Sequence, residues 1–133
     1  MIVGRSIVLA GLLLCACGGV VAGDPATGQK LFSGEISIAG GSVPTCAECH
    51  AVTPDAESLI GPGLSNIGNR AASTVEGMTA AEYLRTSIVD PDAYLAGGFQ
   101  EGIHYRGYRE VLTAQQLSDL IAYMLTLKSG SDP

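Results

Sequence analysis

Two thiols and an imidazole fall within five residues at Cys46-Ala47-Glu48-Cys49-His50. In Cys-x-x-Cys-His the sulfurs can add across the vinyl groups of a haem, and the adjacent histidine can bind its iron. The spacing suits that geometry: both sulfurs reach one edge of the porphyrin, and His50 turns under its face. Other chemistry fits less well. A structural zinc ion needs four ligands. With the leader and its lipid-site cysteine set aside, the cysteines and histidines are Cys46, Cys49, His50 and His104. His50, directly beside Cys49, has little freedom to complete a tetrahedron. A dithiol redox motif belongs near a strand–helix–strand pattern, and none follows here.

The rest of the composition agrees with a bound prosthetic group. The chain has 133 residues, no Trp and two Phe, Phe32 and Phe99. One domain of this size struggles to build a large core from such side chains. A covalently attached haem would supply the missing apolar volume. The formal net charge is −6, and loss of Arg5 with a leader makes it −7. That balance excludes a nucleic-acid partner, whose binding is driven by Lys and Arg. It favours solubility and docking to proteins with a basic surface.

Residues 1–16 read as a lipoprotein signal peptide rather than as part of the fold. Arg5 is its only charge, and the apolar run Ile7 to Leu14 follows. In Leu14-Cys15-Ala16-Cys17-Gly18-Gly19, Leu14 and Ala16 precede Cys17 as in an acylation site, which makes Cys17 the expected lipidated residue. Two alternatives stay open: cleavage after Ala22, or retention of Ser6 to Gly23 as an uncleaved anchor near the lower length limit for a span. All three place the remaining chain outside the cytoplasm, at the periplasmic or outer face of the cell membrane. Of the four cysteines, two lie in the leader region and two in the haem motif, so none remains for a disulfide. The expected organisation is signal peptide 1–16, tether 17–23, one domain 24–128 and a flexible tail 129–133.

Three helices have clear signals. Asp24-Pro25 offers an N-cap and a first-position proline, and Gly34 a stop. Thr79-Ala80-Ala81-Glu82 is a capping box, after which Leu84 and Ile88 share a face. Asp90, preceding Pro91, leaves the helical region. A second box, Thr113-Ala114-Gln115-Gln116, opens a helix with Leu117, Leu120, Ile121 and Met124 on one apolar stripe. Lys128 is expected near its end, suiting the helix dipole. Residues 35–45 form a connector, with a short extended piece possible where Ile36 and Ile38 alternate with polar residues. Residues 51–77, rich in Gly, Pro, Asn and Ser, read as loop with room for one short helix.

This order resembles the class I c-type cytochromes over residues 24–128. Gly28 and Phe32 look like the small and aromatic pair of the family's N-terminal helix, and Tyr123 like the aromatic of its C-terminal helix. Gly61-Pro62-Gly63-Leu64 looks like the loop after the haem motif. The resemblance implies an all-α fold of three to four helices around one covalent haem c. It implies that the Pro62 carbonyl accepts a hydrogen bond from His50 and that Pro62, Leu64 and Tyr105 flank the cofactor. The chain departs from the family in one respect. In most members a methionine in the loop before the last helix is the sixth iron ligand. Here Gly97-Gly98-Phe99-Gln100-Glu101-Gly102-Ile103-His104-Tyr105 has none, and the register puts His104 in its place. Met78 comes too early, and Met124 reads as core.

The expected function is that of a lipid-anchored monohaem electron carrier in a respiratory or photosynthetic chain, not an enzyme, since two tight axial ligands leave no open site. Histidine in place of a thioether lowers the expected reduction potential. The partners would be a membrane electron-transfer complex or another redox protein. The alternative is a haem sensor or subunit in which the sixth ligand dissociates to admit a gas. Arg70, Tyr105, Arg106, Tyr108 and Arg109 are the polar residues expected near the haem rim or its propionates, where Arg pairs well with carboxylates.

Overall fold

The computed structural model describes residues 21–54, 56 and 60–128. The signal peptide, Cys17 and the tail 129–133 lie outside the described residues. Within them there are five α-helices and no strand: α1 Pro25–Ser33, α2 Ile67–Thr74, α3 Ala80–Val89, α4 Tyr108–Val111 and α5 Ala114–Thr126. Two single turns of 3-10 helix, Ala39–Gly41 and Cys46–Glu48, interrupt the connections.

The three expected helices form where their caps put them. The Asp24 carboxylate accepts the N–H groups of Ala26 and Thr27 at 3.1 and 3.3 Å, and Gly34 ends α1 in the left-handed conformation. Glu82 accepts the Thr79 N–H at 2.8 Å, and Gln116 accepts the Thr113 N–H at 3.0 Å, so both capping boxes are closed. The short helix allowed in the glycine-rich stretch is α2. α5 stops at Thr126, so Lys128 lies two residues past it, exposed, instead of in its last turn.

The most extensive contact in the fold is α1 against α5. It requires backbone approach at Gly28: a Cβ there would sit 1.9 Å from the Asp119 carbonyl oxygen. Beside this crossing Phe32 and Tyr123 meet edge to face, with centroids 5.4 Å apart. Leu31, Leu120, Ile121 and Met124 are buried behind them. The crossing is also pinned by a group that no sequence pattern singled out. Asp119 is 2 % exposed and accepts the Asp24 N–H and the Gln115 side-chain amide, both at 2.7 Å. The carboxylate therefore ties the start of α1 to the first turns of α5.

Two expectations need correction. The connector 35–45 contains no extended strand. Ile38 is 4 % exposed and anchors it to the core, after which the chain turns through Ala39–Gly41. Ile36 faces outward instead. The alternation was a single buried anchor, not a pleat. The second is the short helix α4, for which the sequence carries no cap or periodic signal. Its first residue, Tyr108, is buried, and its hydroxyl donates to the Pro44 carbonyl at 2.7 Å across 64 residues of chain.

A Gly28→Ala substitution is expected to lower the thermal midpoint of the holoprotein sharply, by about 3 kcal/mol of stability, because overpacking here meets backbone that cannot yield. An unchanged midpoint in a calorimetric scan would show that α1 and α5 do not cross so closely.

Candidate haem site

The Cys-x-x-Cys-His segment is held from within and from across. The Thr45 N–H donates to the Glu48 carboxylate at 2.6 Å. The N–H groups of Cys49 and His50 both donate to the Cys46 carbonyl, at 3.2 and 2.9 Å. Glu48 occupies a position the motif leaves free, and it braces the entry to the turn. The loop 61–64 then runs alongside. Gly61 N–H donates to the Cys49 carbonyl at 2.9 Å, and Leu64 N–H to the Ala51 carbonyl at 2.7 Å. Between these two bonds His50 Nδ1 donates to the Pro62 carbonyl at 2.9 Å. Carbonyl oxygens only accept, so this contact fixes the tautomer: Nδ1 carries the proton and Nε2 keeps its lone pair. Gly61 is needed here, since a Cβ would lie 2.5 Å from the His50 ring. Arg70, reaching over from α2, donates to the Gly63 carbonyl at 2.7 Å and steadies the far end of the loop.

His50 faces a cavity of about 1080 Å³. The cavity reaches from Cys46 and Cys49 on one edge, past Leu64, Ile67, Leu84 and Met124, to the loop that carries His104 and Tyr105. Most protein interiors hold few voids larger than a water molecule. A hollow of this size, mostly apolar and lined by residues of all five helices, is a binding site and not a packing defect.

His104 comes from the stretch between α3 and α4. It is half-buried, lines the same cavity, and its Nδ1 donates to the Tyr105 carbonyl at 3.0 Å. Its proton therefore also sits on Nδ1. The two imidazole centroids are 6.0 Å apart with the rings inclined at 47°. Tyr108 meets the His104 ring edge to face at 5.7 Å, and Tyr105 meets Tyr108 at 4.9 Å. Burial pulls His50 below its ordinary pKa; the Pro62 hydrogen bond opposes this, and His104 adds to the lowering. The neutral, ligating form of His50 is thus favoured. Burial pushes the Cys46 thiol up to about 11. Among the described residues, no three or more His, Cys, Asp or Glu side chains gather as they would around a metal ion.

The structure brings Cys46, Cys49, His50, Pro62, Leu64, His104 and Tyr105 to one cavity. Met78 is not on its wall; Met124 is, from within the apolar stripe of α5. The expected polar rim holds only in part. Arg70, Tyr105 and Tyr108 border the cavity, and the buried Tyr108 turns its hydroxyl to the Pro44 carbonyl. Arg109 lies off the cavity wall, its Nε donating to the Val89 carbonyl at 3.2 Å. Arg106 borders the cavity, yet its guanidinium pairs with Asp92 and Glu101. The signal that could have moved Tyr108 inward is its place one residue after Gly107, opening a helical turn ahead of the Thr113 box.

The donor set fits haem c: two sulfurs at one edge, an imidazole with a free Nε2 on each side, and apolar walls. Sequence comparison with known proteins agrees. The family model for cytochrome c matches residues 25–128. A cytochrome c2 iso-2 of Rhodospirillum centenum is 38% identical over 124 residues, covering 77% of this chain and 93% of the relative. A cytochrome c2 of Rhodoblastus acidophilus is 35% identical over 66 residues, and the match spans about half of each protein, 50% of this chain and 51% of the relative. The crystal structure of SoxXA from P. pantotrophus superposes with a TM-score of 0.47 at 23% identity, over 81% of this chain and 84% of that one.

A cavity this large should leave the haem-free chain without a stable core. A Cys46→Ser/Cys49→Ser chain is expected to lack a cooperative unfolding transition by circular dichroism. A sharp transition in that variant would contradict the view that the cofactor completes the fold.

Proposed function

Because this chain belongs to the cytochrome c family, with haem c as its cofactor, we propose that it is a membrane-tethered carrier of single electrons whose iron is bound by His50 and His104. When bound, the haem supplies a ferric–ferrous couple that takes up and releases one electron at a time. The roles of the residues follow from their positions. Cys46 and Cys49 anchor the group at one edge. His50 presents Nε2 from the face braced by Pro62, and His104 presents Nε2 from the facing loop. Pro62 and Tyr105 carbonyls hold the two rings in the ligating tautomer and raise their basicity, as outer partners of metal-bound histidines do.

The observation that carries this reading is the pairing of the two imidazoles. A histidine bonded to a metal at about 2 Å places its ring centroid roughly 3 Å from that metal, so two such rings facing each other stand roughly 6 Å apart. The observed 6.0 Å suits that arrangement, and each ring has only Nε2 left to give. With both positions held, no open site remains for a substrate. Imidazole favours ferric iron more than a thioether does, so the potential is set below that of His/Met relatives.

The setting is extracytoplasmic, with acylated Cys17 as the anchor and a membrane electron-transfer complex or a redox protein as partner. No helix among the described residues is long and apolar enough to cross a membrane. The formal net charge of −6 suits a partner with a basic face.

The test is spectroscopic. Electron paramagnetic resonance and near-infrared magnetic circular dichroism of the oxidised holoprotein should show low-spin bis-imidazole iron, changing to His/Met signals in His104→Met. A high-spin wild type would instead support a gas-binding haem. Cys17→Ser should move the holoprotein from the membrane to the soluble fraction; continued sedimentation with membranes would rule out the lipid anchor.

A further inference from the structure

His104 stands on the stretch between α3 and α4, which lines the cavity through Tyr94, Leu95, Phe99, Ile103 and His104 itself. One side chain spans this stretch. Asp92, at the start of the segment, accepts the Gly102 N–H through Oδ1 at 2.9 Å and pairs through Oδ2 with the Arg106 guanidinium. The two partners lie two residues before and two residues after His104. Arg106 is steadied in turn by Glu101 at 3.3 Å. Gly102 has a φ of +82°, a left-handed conformation that a side chain would strain, so the chain turns sharply just where the Asp92 bond catches it.

We propose that Asp92 is the positioning residue that keeps His104 seated as an axial ligand, by clasping the loop on both sides of it. The inference rests on the reading of His104 as the sixth ligand. An exposed ion pair alone contributes little, but a backbone N–H donated to a carboxylate is a stronger bond. It also closes a ten-residue loop, which lowers the freedom of the ligand to swing out. Without the clasp, the loop spends more time open, and an external ligand that needs the open state binds faster in proportion to that fraction.

The test uses haem-loaded protein reduced by dithionite and mixed with carbon monoxide in a stopped flow, with magnetic resonance of the oxidised forms alongside. Asp92→Ala removes both contacts. Arg106→Gln removes the ion pairs with Asp92 and Glu101, keeps the Gly102 bond, and serves if Asp92→Ala does not load haem. The wild type should show bis-imidazole signals and slow carbon monoxide binding. Asp92→Ala should bind roughly tenfold faster, and Arg106→Gln should fall between. Glu35→Gln, which breaks the exposed Lys30–Glu35 pair elsewhere, should match the wild type. Bis-imidazole signals with unchanged rates in both clasp variants would overturn the role of Asp92 while leaving His104 as ligand. A wild type without bis-imidazole signals would overturn both, and so would locate the failure in the ligand reading.

Discussion

A hollow of about 1080 Å³ in a chain of this size has to be filled, and most of the structure is arranged around that requirement. Five helices pack against one another at the margins of the cavity, but α2, α3 and α5 each also turn apolar residues towards its centre: Ile67, Leu84, Leu120 and Met124. The firm contact, α1 on α5, lies to one side of it. There Gly28 permits backbone approach, and Asp119 fastens the start of α1 to α5. The helices thus form a frame around this cavity, whose lining fits the haem c of the family.

The two sides of that cavity are built differently. His50 belongs to a rigid seam, in which three hydrogen bonds join residues 49–51 to residues 61–64. His104 belongs to the loop between α3 and α4, spanned by polar contacts from Asp92 to Gly102 and Arg106. On the proposed ligation, one axial bond is fixed by the fold and the other by a clasp. Such an asymmetry lets the same scaffold be tuned from a closed electron carrier towards a ligand-binding haem by altering the loop alone. The choice of imidazole over thioether sets the potential, and the firmness of the loop sets how closed the iron remains.

Local signals were the legible part of the sequence. Asp24-Pro25, the Thr79 and Thr113 boxes and Gly34 act within a few residues, so their effect can be read without knowing the fold. Gly28, Tyr123 and Pro62 became legible only through resemblance to a family, since their partners lie far away in the chain. What stayed hidden depends on long-range pairing. Tyr108 reads as a polar residue until Pro44 is seen beside its hydroxyl, 64 residues back. Asp119 sits in a polar gap of an amphipathic helix, and nothing local says that it is buried against Asp24. The connector 35–45 misled because two alternating isoleucines mimic a strand when only Ile38 has a core to enter. Arg106 and Arg109 looked free to meet propionates, but carboxylates and a carbonyl nearer to hand engage them.

The central claim is the identity of the two axial atoms, and X-ray absorption at the iron edge of the oxidised holoprotein tests it most directly. His50 and His104 together predict a first coordination shell of six nitrogens at one short distance, with the outer scattering of two imidazole rings. A sulfur scatterer at longer distance, or a shell of five, would contradict the account and remove His104 from the iron.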